Sequence, residues 1–122
     1  MNLEAERMPL LKARANRAPL EVFSVREKAN TKLAASTLVK QALKRGDRMP
    51  DFELLEATGM TVKSREVRKI GLLLVSFYHG EWCPYGNLEL YALQEPHSEL
   101  VAVGATLVAI SPQTPDFSWT TR

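Results

Sequence analysis

The sequence predicts an α/β fold made of a basic helical N-terminal arm, a short β-hairpin and one strand–helix–strand unit. Two runs carry that expectation. Leu72–Tyr78 is nearly continuous apolar sequence of strand length, the pattern of a central strand covered on both faces, and Ala105–Ile110 is a second such run. Between them lies helix-forming sequence too long for a hairpin connection, so the two strands must be parallel, with a right-handed crossover as the default.

The elements follow in order. Residues 1–19 mix charges with Pro9 and Pro19 and read as a loosely ordered lead with at most a single helical turn. From Leu20 to Lys44 helix formers dominate. Ala35, Leu38, Val39, Ala42 and Leu43 fall at helical spacing and define one apolar face, with Gly46 as the stop and Pro50 shortly after it. Phe52-Glu53-Leu54 and Thr61-Val62-Lys63 alternate on either side of the turn signal Thr58-Gly59, which suggests a hairpin. Ser64 caps a short turn reaching about Lys69. After the strand at Leu72–Tyr78 comes the loop His79-Gly80-Glu81-Trp82-Cys83, and Pro84 then sits where its fixed φ and missing N–H suit the first helical position. Pro96 divides that helix, Gly104 stops it, and Ser111-Pro112 ends the last strand. The expected division is a basic helical extension over 1–45 and an α/β domain over 46–122.

A chain of 122 residues supports one core. Apolar residues make up 45% and charged residues 25%, which is ordinary folded usage and far from disorder. The net charge of +2 conceals a balance of +6 over residues 1–48 and −4 over 49–122. The basic part has no interleaved aromatics and no nucleic-acid motif, so it reads as a solvated helical face. No apolar run approaches the roughly 20 residues needed to cross a bilayer. No signal core opens the chain, and Glu4 and Glu6 argue against an acid-poor transit peptide, so a cytoplasmic location is expected. The single cysteine forms no internal disulfide and turns attention to what one thiol does.

Cys83 is the residue placed for chemistry. It lies at the carboxyl end of a buried strand, where open α/β sheets bind ligands, and at the start of a helix, whose free amides and dipole favour thiolate over thiol. The competing reading is a small buried apolar residue. Trp82 and Tyr85 read first as ordinary packing against the sheet and second as site walls, and His79 first as a solvated loop residue and second as a proton donor. His79 and His97 with Cys83 supply too few ligands for zinc, and no phosphate-binding glycine loop is present, so neither metal nor cofactor is expected.

Three blocks then stand in a familiar order: Gly46-Asp47-Arg48-Met49-Pro50-Asp51-Phe52, then Phe77-Tyr78-His79-Gly80-Glu81-Trp82-Cys83-Pro84-Tyr85, then Gly104-Ala105 through Ile110-Ser111-Pro112-Gln113. They resemble the G-D-x-x-P-D-F, F-Y-x-G-x-W-C-P-Y-C and G-A-x-L-V-A-I-S-P-Q motifs of the peroxiredoxin-like branch of the thioredoxin superfamily, the group with alkyl hydroperoxide reductase and thiol-specific antioxidant proteins. The resemblance implies a partial thioredoxin-like fold and a thiol peroxidase with Cys83 as the peroxidatic nucleophile. The substrate would be a hydroperoxide and the reductant thioredoxin or another thiol, with Trp82 and Tyr85 walling the site and Pro84 fixing the helix start. Gly86 stands where the motif has its second cysteine, so the resolving thiol must come from outside. Ser76 and Gly80 occupy the proline and threonine positions of the better-known P-x-x-x-T-x-x-C loop, which leaves His79 as the nearest alternative donor. Family members continue beyond S-P-Q with further strands, so the chain reads as truncated at its C-terminus. Leu72–Tyr78 would then be a sheet edge that pairs with a second copy. Two other roles fit the same residues: a catalytically silent association module and a one-thiol disulfide exchange protein, which would form a trappable mixed disulfide without reducing peroxide.

Overall fold

The computed structural model describes residues 2–17 and 19–114, and these cluster into two compact units, Leu11–Pro50 and the remainder. The last residues of the expected α/β domain, 115–122, lie outside the described residues.

The N-terminal lead is a helix, α1 (Leu3–Arg17), which corrects the expected loose segment. Asn2 Oδ1 accepts the Ala5 N–H at 3.3 Å, and Glu4 and Glu6 lie in the first turn, where negative charge complements the helix dipole. Pro9 lies within the helix. The long helix expected over Leu20–Lys44 is two pieces, α2 (Leu20–Ala35) and α3 (Leu38–Gln41). The break falls at Ser36, whose hydroxyl donates to the Leu33 carbonyl at 2.6 Å while its backbone turns extended, the competition with helical bonding that serines offer. The expected apolar face therefore spans two segments, and Leu38, Val39 and Leu43 are exposed. Gly46 belongs to a turn beyond the helix, in which Asp47 Oδ2 accepts the Lys44 N–H at 2.7 Å.

In the other unit β1 (Glu53–Leu55) and β2 (Thr61–Lys63) form the expected antiparallel hairpin, with Leu54 opposite Val62. The chain runs directly into α4 (Ser64–Ile70). Ser64 is the first residue of that helix and not its cap. Its fully buried hydroxyl accepts the Phe52 N–H at 2.9 Å, and its own N–H donates to the Phe52 carbonyl at 2.9 Å. Asp51 pairs with Arg65 at 3.0 Å and with Arg68. The hydrogen bond and charge of Asp51 hold the Arg65 guanidinium above its ordinary range. A group raised in this way loses its contribution only as pH climbs through that range, so Arg65 keeps its charge beside Asp51 through the neutral range.

The strand–helix–strand unit consists of β3 (Leu72–Phe77), α5 (Pro84–Gln94), α6 (His97–Ala102) and β4 (Ala105–Ile110). The strands are parallel in a register running from Leu72 opposite Ala105 to Phe77 opposite Ile110. Pro96 caps α6 and divides the crossover as its sequence indicates. One expectation needs correction. β3 pairs only with β4 among the described residues, and Leu72 and Phe77 are 67% and 76% exposed, so it is not a strand covered on both faces. The apolar run records a strand suited to burial, whereas coverage depends on neighbours that sequence periodicity does not identify.

No described helix is long and apolar enough to cross a membrane.

Candidate active site

The ladder between β3 and β4 continues one step past both strands: Tyr78 N–H donates to the Ile110 carbonyl at 3.0 Å. The loop 79–83 and the turn beginning at Ser111 therefore leave the sheet at the same end. Cys83 occupies the N-cap of α5 in extended conformation, and Pro84 follows at the first helical position. Its N–H donates to the Gly80 carbonyl at 3.0 Å, closing a tight turn, and its carbonyl accepts the Asn87 N–H at 3.1 Å as the first helical bond.

The backbone placement of Cys83 is thus the expected one, and its side chain adds two facts. Cys83 is 4% exposed, and no first-turn amide donates a hydrogen bond to its sulfur. Burial of this degree fits a guarded thiol and a small apolar core residue alike. A cleft of about 680 Å³ lies beside the hairpin, lined by Phe52, Leu54, Val62, Tyr78, Leu90 and Ile110 among others, but Cys83 is not in its wall.

The neighbours divide. Trp82 is 67% exposed, and its ring stacks on His79 with centroids 5.6 Å apart and planes 9° from parallel, so Trp82 is not packed against the sheet. Tyr85 is half-buried and Pro84 exposed. Ser76 is buried, and its hydroxyl has no hydrogen-bond partner among the described residues. Gly86 is buried against Tyr78, and a Cβ placed on it would lie 3.0 Å from the Tyr78 Cβ, so any side chain there must displace the tyrosine slightly. Among the described residues no group of three or more His, Cys, Asp and Glu could hold a metal ion.

Two residues that spacing did not single out hold the loop. Asn87 Nδ2 donates to the Glu81 carbonyl at 2.6 Å, and the Glu81 N–H donates to Gln113 Oε1 at 3.1 Å. Gln113 stands in the S-P-Q block, but its partner is 32 residues away, a relation no local pattern encodes.

A parallel strand–helix–strand unit with its one thiol at the strand-to-helix turn defines the class as a thioredoxin-like redox architecture, present here as a partial α/β fold. The chain belongs to the AhpC/TSA family: that family's model matches residues 45–121, more than half of the sequence. It is a peroxiredoxin-like member of the thioredoxin superfamily, a family of thiol redox proteins. No curated protein and no solved structure matches the chain.

Proposed function

We propose that this protein is a thiol-dependent peroxidase that reduces hydroperoxides in a reducing, cytoplasmic setting, with Cys83 as the peroxidatic residue. The observation that carries the reading is the position of Cys83, at the N-cap of a helix that follows a parallel strand, inside the matched family region. The Cys83 thiolate attacks one oxygen of the peroxide, a sulfur–oxygen bond forms and the oxygen–oxygen bond breaks. The leaving alkoxide or hydroxide takes a proton, and Cys83 becomes a sulfenic acid. An external thiol condenses with it, releasing water and leaving a mixed disulfide, and a second thiol attacks that disulfide to free Cys83. Thioredoxin or a small thiol serves as reductant because Cys83 is the sole cysteine of the sequence. Pro84 fixes the helix start, Trp82 and Tyr85 flank the sulfur in sequence, and His79, stacked on Trp82, is the loop's imidazole and its candidate proton donor.

Peroxide consumption coupled to a thioredoxin or glutathione regenerating system tests this. Wild type should consume peroxide and Cys83→Ser should not; equal, slow consumption by both ends the enzyme reading. A second reading draws on the 4% exposure of Cys83 and the missing amide donor to its sulfur: a silent relative acting as an association module. Full wild-type activity would remove it. A mixed disulfide that accumulates without peroxide turnover would instead indicate one-thiol disulfide exchange.

A further inference from the structure

We infer that Gln113 is the positioning residue for Cys83, acting through the Glu81 peptide. The inference rests on the reading of Cys83 as the reactive thiol and adds what sets its accessibility.

The loop before Cys83 has few ways to be held, because it is short and Gly80 has no side chain to pack. Its backbone is nevertheless fixed on several sides. Gln113 Oε1 takes the Glu81 N–H at 3.1 Å, and Asn87 Nδ2 gives a hydrogen bond to the Glu81 carbonyl at 2.6 Å. Both backbone polar groups of Glu81 are therefore held, its N–H by a side chain from the turn after β4 and its carbonyl by one from α5. Gly80, held at φ +127°, lies directly against Gln113: a Cβ on it would come within 2.7 and 2.8 Å of Gln113 Cδ and Cγ. Only glycine accommodates both that conformation and that contact. Ser111 Oγ in turn accepts the Gln113 N–H at 3.4 Å and donates to its Oε1 at 3.4 Å, anchoring the glutamine to the end of β4.

The consequence reaches the sulfur through one more bond. Cys83 N–H donates to the Gly80 carbonyl at 3.0 Å, so the peptide that Gln113 packs against also fixes the backbone of the cysteine. Releasing Gln113 frees Gly80 and Glu81, and with them the turn that keeps Cys83 buried.

The test uses the full-length chain as wild type, Gln113→Leu and Gln113→Glu, read by amide hydrogen exchange and by the rate of Cys83 alkylation with iodoacetamide. In Gln113→Leu the Glu81 amide should exchange about fivefold faster and Cys83 should alkylate about threefold faster, factors in keeping with one modest hydrogen bond. Gln113→Glu, which keeps an oxygen acceptor, should restore Glu81 protection. The β3 and β4 amides of Val75 and Leu107 should be unchanged in both. Unchanged Glu81 exchange, unchanged alkylation, a Gln113→Glu variant behaving like Gln113→Leu, or loosening of the sheet amides would each overturn the inference. Alkylation needs no peroxide, so a chain that shows the Gln113 effect but reduces no peroxide sinks the peroxidase reading alone.

Discussion

Ser64 shows how one side chain joins two segments that sequence places apart. Its hydroxyl and its amide take both backbone groups of Phe52, each at 2.9 Å, so the residue before β1 is paired to the residue after β2. The hydroxyl is fully buried, and removing it leaves the Phe52 N–H with no acceptor in a half-buried site. Losing a buried hydrogen bond in this way costs about 1–2 kcal/mol, because the stranded donor also gives up water. Ser64→Ala should therefore lower the urea midpoint, by that free energy divided by the m-value, with the m-value itself unchanged, as read by equilibrium unfolding followed by circular dichroism. A midpoint equal to wild type would mean that water or a shifted backbone takes over the donor. Serine before a helical stretch so often caps it that the local sequence points Ser64 to that role. The hydroxyl turned across the hairpin instead, a choice made by a partner 12 residues away.

At the scale of elements the tightest constraint is the start of the parallel pair. The Gly104 carbonyl accepts the Leu72 N–H at 3.0 Å, and a Cβ on Gly71 would lie only 2.0 Å from that same oxygen. Backbone, unlike a side-chain tip, has nowhere to go without opening the ladder. Gly71→Ala should cost about 1–3 kcal/mol, the usual penalty for forcing atoms into filled space, and should speed exchange at Leu72 before it affects Phe77. Equal exchange along β3 would show that the strands separate as a unit. The same pair explains what was legible in the sequence. β3 and β4 are legible as nearly continuous apolar runs of strand length, and Pro84, Pro96 and Gly104 mark the connecting helices, because those signals are local and strong. α1 is not legible in the same way, because two prolines and weak periodicity mask a helix supported by Asn2 and two early glutamates. The break at Ser36 leaves no local signal, because serine is compatible with a helix as well as disruptive to it. For the site, the backbone position of Cys83 could be read directly, whereas its burial and the hold of Gln113 on its loop arise from residues brought together only by folding.

Across the whole molecule the unresolved balance is between apolar content and its coverage. β3 has one partner among the described residues, and its Leu72 and Phe77, with Tyr91, Val101 and Val103 of the same unit, are each more than half exposed. A strand with one free row of N–H and C=O groups and bare apolar side chains is a template for another strand, and proteins that stay apart commonly place lysine or proline on such edges. Leu72–Tyr78 has neither. Self-association through this edge is accordingly the proposed state of the chain, and sedimentation velocity at tens of micromolar, a range in which exposed edges associate, should show species heavier than the 13.7 kDa monomer. Leu72→Lys with Phe77→Lys places charge at two already exposed positions, so it should return the chain to monomer while leaving its circular dichroism intact. A wild-type chain that sediments as a folded monomer would remove the proposal, and so would a double variant that associates as strongly as wild type, since the contact would then run through some other surface.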